Sequence, residues 1–597
     1  MSFEECHQPM ITALDQAQSE LDPQTCSSLV ELLVRRSSVH PDRRLYAFVN
    51  EHGEEARAMS YGELDRHARA VAARLSRLAA PNDRALLLFP PGLDFIVGFF
   101  GCLYAGVVAV PLALPGRRQS LHNIFRVVAD CQARLVLTDT RTAQAIKAQL
   151  GDTQGLFNAP LLAVDDDSEA IDPLSDPVSE VALPAPGALA FLQYTSGSTT
   201  TPRGVMLSHG NLMANELMIR DAFEHTAAST VVGWVPHYHD QGIIGNILQP
   251  LYVGAFCALI SPITFLKKPI SWLQTISRYR ATTSGGPNFA YDLCIRSASP
   301  EKLRGLDLSS WTLAFNGAEP IRPETLRRFS EVFGPYGFRP ETWYPCYGLA
   351  EASLLVTGGS KKAPPVITTI DKRALQQHRA VPVEPGSPDA QAVVGCGRAR
   401  NDERILVVDP ETRCVRGPCE VGEIWVSGPH VAGGYWKAPA QTEETFGARL
   451  ADEQEAAFLR TGDLGFLDEA GELHVTGRQK DVIILFGRNH YPHDIEQTVE
   501  HSHPALRPGC VAAFTIGGPG DEQLVVVQEV DPEYAGELEV DAIIGDIRKA
   551  VAVEHEVTVH TVFLAKAGAV PKTTSGKVQR RLSRQSFVDG KIPAWNS

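Results

Sequence analysis

An apolar run at residues 188–194, ALAFLQY, passes directly into YTSGSTTTPRG at 194–204, and no other stretch constrains the fold as much. The first run reads as a buried strand. After the loop, Val205, Met206 and Leu207 resume an apolar run that leads to Ser208, Asn211 and a helical pattern, so the loop is held between two buried elements. Its hydroxyls, its glycine and the closing Pro-Arg-Gly make it flexible and rich in donors, suited to wrapping phosphate oxygens. A P-loop requires Gly-Lys after four intervening residues; Pro202 and Arg203 stand there, so this is not a Walker loop. Read alone, the string also fits a surface turn rich in Ser and Thr.

A chain of 597 residues exceeds what one compact core supports, so two or more domains are expected. Short buried strands at 85–89, 107–112 and 134–138 alternate with helical stretches, which predicts a doubly wound α/β sheet. Ser60 followed by Glu63 is a capping-box signal for a helix opening at Tyr61. Residues 95–116 carry no charge over 22 positions, enough to span a bilayer. Gly98, Gly101, Gly106 and Pro111 fit better a buried helix at 93–105 that turns into a core strand, VVAVPL, so no integral membrane segment is expected. The acidic, Pro-rich residues 165–187 read as a surface connector. With 70 acidic against 55 basic residues the net charge is −15, which argues against a nucleic-acid or membrane-surface binder. Eleven cysteines without a CxxC pair indicate neither a zinc site nor a disulfide framework, and a cytoplasmic location is expected.

Several further strings carry side chains suited to chemistry. His237 and His239 stand in HxHD spacing without other metal-ligand neighbours, and a satisfied polar residue at a strand end is the competing reading. In SGGPNFAYDL, 284–293, the glycines permit close backbone approach, and Asn288, Phe289 and Tyr291 are placed to line a channel. LAFNGAEP, 313–320, runs a strand into a Gly turn at the edge where open α/β sheets bind ligands. Tyr347 and Glu351 bring a ring and a carboxylate together, and Asp463 in LRTGD offers a carboxylate able to accept two ribose hydroxyls. Residues 358–395 form a long detour rich in Pro, Gly, Lys and Ala with a short helical piece near 372–378. Beyond it, a strand at 523–530, one helical face of Ile543, Ile544, Ile547 and Val551, and alternation from Val557 to Phe563 predict a small α+β domain. That domain ends in PKTTSGK, where Lys577 on a Gly-containing loop can swing onto a phosphate or stay solvated.

Taken together these strings resemble the adenylate-forming superfamily of acyl-CoA synthetases, luciferases and peptide-synthetase adenylation domains, whose usual loop is TSGSTGxPKG. Thr200 departs from the usual Gly and Arg203 from the usual Lys. SGGPNFAYDL, GRNHYPHDIE at 487–496 and HPALRPGCVAAF at 503–514 are similar to fatty acyl-AMP ligases in particular. The resemblance implies a large N-terminal adenylation domain, 1–479, with doubly wound sheets, and a mobile C-terminal domain, 480–597, joined at a hinge at Lys480. It implies that Thr195, Ser196, Gly197, Ser198, Thr199 and Arg203 hold ATP phosphates, with Gly317, Ala318, Glu319, Tyr347 and Gly348 around adenine and Asp463 and Arg478 at the ribose. Glu351 with Thr199 would hold Mg²⁺, His239 would lie near the substrate carboxylate, and Lys577 would be the catalytic lysine. The implied reaction joins a medium- or long-chain fatty acid to AMP and passes the acyl group to the phosphopantetheine thiol of an acyl carrier protein supplied in trans. The insertion around 358–395 would restrain the movement that CoA chemistry needs. A fatty acyl-CoA synthetase and a non-catalytic adenylate-binding protein remain as alternatives.

Overall fold

In the computed structural model, the described residues are 22–114, 118–150, 159–165, 181–195, 203–400, 402–453, 455–485, 487–518, 522–534, 539–573 and 576–595, with backbone only at 118–123, 149, 150 and 195. Apolar runs without alternation become strands buried on both faces, and here they build two large sheets. In the eight-stranded sheet, Trp343–Gly348, Leu313–Asn316, Thr283–Gly286, Thr230–Gly233, Phe256–Ile260 and Arg44–Val49 lie side by side and parallel. Leu355–Gly358 and Glu55–Ser60 close its edges antiparallel. The six-stranded sheet runs Leu161–Ala163, Leu135–Thr138, Arg84–Leu88, Val108–Leu112, Leu189–Thr195 and Arg203–Ser208. The last two strands pair antiparallel, with Thr195 opposite Arg203, so the donor-rich loop leaves from the end of a hairpin. Most of that loop, Ser196, Gly197, Ser198, Thr199 and Thr200, lies outside the described residues, as does most of the acidic connector.

The helices between strands bury one face against these sheets. Ser60 and Glu63 form both hydrogen bonds of the capping box that starts Tyr61–Leu75. The uncharged segment divides as its glycines require: Asp94–Tyr104 is an 11-residue helix buried at every position after Asp94, Gly106 turns the chain at φ +64°, and Val108–Leu112 enters the sheet. Among the described residues no helix is long and apolar enough to cross a membrane. A four-stranded antiparallel sheet of Arg404–Val408, Gly422–Ser427, Leu459–Leu467 and Leu473–Arg478 completes the large N-terminal domain.

The C-terminal domain has its own core, in which Ile483, Ile495 and Val499 pack with Val526, Ile543 and Ile547 over the sheet Leu506–Ile516, Gln523–Val530 and Val559–Ala565. The detour at 358–395 contains more structure than its composition predicts. Ile367–Asp371 and Ala390–Val394 pair antiparallel in full register, and the helix between them is shorter than expected, Lys372–Leu375, with Asp371 as its N-cap.

Candidate active site

The C-terminal edge of the eight-stranded sheet and the C-terminal domain enclose one continuous cavity of about 3170 Å³. Ligand pockets for a single small molecule are commonly about 300–1,000 Å³. The space here therefore accommodates a nucleotide together with a second, extended substrate.

Tyr347, at the end of a parallel strand, and Asp463, in the antiparallel sheet, are 116 residues apart in sequence, and the tyrosine hydroxyl donates to Asp463 Oδ2 at 2.8 Å. Arg478 Nε donates to Asp463 Oδ1 at 2.9 Å from the neighbouring strand. Asp463 holds the guanidinium charged, above its ordinary value and against burial, while burial and then Asp463 push the Tyr347 phenol well up. The three residues expected around a nucleoside are thus one bonded unit. Gly317 lies so close to Cys346 that a Cβ would stand 2.8 Å from its carbonyl oxygen, and Ala318 adopts φ +69° beside it. An alanine in that left-handed region is a strained position of the kind found at binding sites.

Glu351 follows Gly348 on a short turn and accepts the Tyr435 hydroxyl on Oε1 at 2.9 Å. Arg203 sits over the Tyr435 ring at 5.4 Å, which ties the end of the donor-rich loop to the carboxylate. Tyr435 has no motif signal of its own beyond the string GPHVAGGYW, and the sequence reading missed it. The second oxygen of Glu351 accepts no hydrogen bond among the described residues, so this donor fits a Mg²⁺ ion, which takes oxygen ligands and keeps its waters.

Lys577 reaches this cavity from the C-terminal domain. A small hairpin carries it: the Thr573 N–H donates to the Lys577 carbonyl at 2.7 Å and the Gln579 N–H to the Pro571 carbonyl at 2.9 Å. Gly576 has φ +88°, where a side chain is strained, and a Cβ there would stand a tight 3.3 Å from the Phe289 ring, so glycine suits the close approach of the loop to the large domain. Lys577 lines the cavity. Desolvation lowers the affinity of its ammonium for the proton; Asp240 and Glu319 oppose that, and Asp463 adds to them. Burial raises the carboxyls of both Asp240 and Glu319, countered by the Gln241 and Phe289 N–H groups, at 2.7 and 2.6 Å, and by Lys577. His239 lies in the same group, pushed down to about 4 by burial and then by Lys577, and is neutral at pH 7. His237 instead packs on Phe95 at 4.2 Å, away from the cavity lining.

The proposed channel residues need correction. Tyr291 is fully buried in an aromatic core and donates to the Phe315 carbonyl at 2.6 Å; it does not line the cavity. Asn288 touches the cavity, but its side chain is spent on Asp292, Thr325, Asn316 and the Arg322 N–H. Phe289 alone of the three borders the Lys577 loop. The apolar extension of the cavity runs elsewhere, between Ile219, Phe223, Gly245, Phe315, Leu354 and Leu355. Gly245 belongs to a π-helical stretch, Gln241–Leu248. Lys480 is exposed in the turn Gln479–Asp481, which joins the two domains.

The model of the AMP-binding enzyme family matches residues 33–436, and that of the Disco-interacting protein 2-like AMP domain matches 480–597. The chain is 45% identical over 576 residues to JamA, a medium-chain-fatty-acid acyl-carrier-protein ligase of Moorena producens, covering 96% of this chain and 97% of that one. It is 36% identical to FadD32, a long-chain-fatty-acid AMP ligase of Mycolicibacterium smegmatis, with 95% of each covered. Among solved structures, a fatty acyl-adenylate ligase from L. pneumophila in complex with acyl adenylate and pyrophosphate superposes with a TM-score of 0.74 at 40% identity, covering 96% of this chain and 98% of that one.

Proposed function

The chain belongs to the AMP-binding enzymes, and within them to the fatty acyl-AMP ligases, and from that membership we propose how its residues carry out the reaction. It activates a medium- or long-chain fatty acid with ATP, forming acyl-AMP and pyrophosphate, and transfers the acyl group to the thiol of an acyl carrier protein. The observation that carries this reading is the entry of Lys577 into the cavity that holds the Tyr347–Asp463–Arg478 unit, beside an apolar extension.

In the first half-reaction a carboxylate oxygen attacks the α-phosphorus and pyrophosphate leaves. Such transfers need positioning and charge neutralisation rather than a covalent enzyme group. Tyr347 stacks on adenine, the backbone of Gly317, Ala318, Glu319 and Gly348 borders the base, and Asp463 with Arg478 takes the ribose. Arg203 and the residues at 195–199 hold the phosphates, and Lys577 meets the charge that develops at the α-phosphate. His239, neutral, lines the path of the carboxylate without competing for it as a cation. Glu351 with Thr199 would hold Mg²⁺, which when bound would supply further charge neutralisation at the phosphates. The C-terminal domain turns about Lys480 between the half-reactions, with residues 1–479 and 480–597 as the two bodies. A reducing cytoplasm is the compartment that the unpaired cysteines favour.

Product analysis tests this. Protein with ATP, Mg²⁺ and a fatty acid is expected to give acyl-AMP that persists when CoA is added and is consumed when a phosphopantetheinylated carrier is added. Rapid acyl-CoA formation would overturn the acceptor assignment, and absence of adenylate with any acid would overturn the activity.

The apolar extension sets chain length. Phe223 is 7% exposed, stacks with Phe315 at 6.1 Å and stands edge-on to Tyr344 at 4.9 Å. Burial contributes about 0.8 kcal/mol per CH₂, roughly a fourfold preference per carbon. Phe223→Ala is therefore expected to move the optimum for pyrophosphate release toward longer acids in a saturated series, by about fourfold for each carbon newly admitted. An unchanged length profile in a variant that retains its melting transition would remove Phe223 from the tunnel.

A further inference from the structure

The rim of the cavity beside the Lys577 loop is formed by a six-residue helix, Pro262–Lys267, capped by Ser261, whose hydroxyl accepts the Ile263 N–H at 3.2 Å. Its inner side chain, Phe265, is fully buried and lies 4.0 Å from the Trp234 ring. Trp234 in turn meets Phe289 edge-on at 6.2 Å, and Phe289 is the ring against which Gly576 lies. A continuous apolar bridge thus links this helix to the loop that carries Lys577.

The outer side is unusual. Ile263 is 57% and Leu266 56% exposed, next to the exposed Lys267 and Lys268. Pro262 and Leu266 share the cavity rim with Leu293 and the exposed Arg296. The helix of Arg296 abuts this rim, since the Cys294 thiol donates to the Pro269 carbonyl at 3.6 Å. Two apolar side chains among three cations therefore stand at the mouth of the site in a chain whose net charge is −15.

We propose that Ile263, Leu266, Lys267 and Lys268 form the docking surface for the acyl carrier protein, receiving an acidic helix of the carrier whose pantetheine arm enters beside Phe289. This rests on the carrier as acceptor. Charge complementarity selects an acidic partner, and the position selects one that delivers a thiol: the patch lies on the Lys577 side of the cavity, whereas Phe223 and Ile219 mark the acyl extension. A bilayer is a poorer fit, because an interfacial helix needs a longer apolar face than two side chains on a six-residue turn. Apolar anchors fringed by steering charges are the usual anatomy of a small protein interface.

The test is steady-state transfer to a phosphopantetheinylated carrier by the full-length Ile263→Asp and Lys267→Glu variants. The KM for carrier is expected to rise about fivefold in each, with kcat for transfer and carrier-free pyrophosphate release unchanged. Carrier KM within twofold of wild type in both variants overturns the docking assignment. So does an unchanged carrier KM accompanied by loss of adenylation when the fatty acid is supplied in anionic phospholipid vesicles, which assigns the patch to a lipid surface. If wild-type protein transfers to no carrier, the acceptor reading itself fails and the docking assignment falls with it.

Discussion

Lys577→Ala is expected to lower the rate of acyl-adenylate formation by about a thousandfold, with ATP binding retained. Removing one preorganised charge-stabilising donor from a closed active site commonly costs about 10²–10³ in rate, and a full cation in a desolvated cavity belongs at the upper end. The surroundings of Lys577 are built for this use. Desolvation lowers the proton affinity of its ammonium and Asp240 and Glu319 oppose that, so a developing phosphate charge would add to a field that already favours the cation. Among the described residues the hydrogen bonds to these two acids come from the Gln241 and Phe289 N–H groups and not from Lys577. ATP binding is spared because Tyr347, Asp463 and Arg478 are bonded to one another in the large domain without the lysine. Pyrophosphate release together with nucleotide-binding calorimetry checks the prediction. A variant within tenfold of wild type would show that the charge at the α-phosphate is met elsewhere.

Much of this site was legible because its residues sit in short strings whose chemistry is local. Tyr347, Asp463 and Lys577 each stand next to a glycine, and Glu351 stands three residues past one, where a side chain or loop can face a ligand. What the strings do not carry is distance: nothing in LRTGD says that Asp463 meets Tyr347, a contact made by two different sheets. Tyr435 was missed for the same reason, as a ring whose role exists only through Glu351 and Arg203.

The channel was misread because glycines that permit close backbone approach do not say what the side chains of Asn288 and Tyr291 after them meet. The neighbours of Tyr291 include Trp272 at 5.4 Å and Trp343 at 4.6 Å, so its face is core. The apolar lining proposed instead draws single residues from a helix, a π-helical turn and strand ends. No window of sequence contains it. The helix at 93–105, by contrast, was read to within one residue at each end, since burial all round a glycine-containing segment leaves little choice. The detour at 358–395 read as loop because ITTID and AQAVV alternate weakly, although their backbones pair in full register and side chains of this segment reach the C-terminal domain.

Those contacts carry the second large effect. Reversing the charges of Lys372 and Arg373 together is expected to raise acyl-CoA formation about tenfold, from a low starting level. In the closed arrangement Lys372 Nζ donates to the Glu554 carbonyl and to Glu554 Oε1, both at 2.6 Å, and Arg373 donates to Glu556 Oε1 at 2.9 Å. Gln391 adds a bond to Asp494 at 3.1 Å, and Asn489 donates to the Gln376 carbonyl at 3.0 Å. Every one of these links runs from the segment at 371–391 to the C-terminal domain, so together they would oppose the rotation proposed about Lys480. Exposed ion pairs are weak singly, and Glu554 and Glu556 are both open to water, which is why two charges must be reversed to shift the balance. Restoring the pairs with Glu554→Lys and Glu556→Lys in the same chain is expected to return CoA use to its starting level, and raising the salt concentration should push the wild type part of the way toward the released state. If the reversed variant makes no more acyl-CoA than wild type while its adenylation is intact, the hairpin is a passive support and the rejection of CoA lies in the pocket that the thiol must enter.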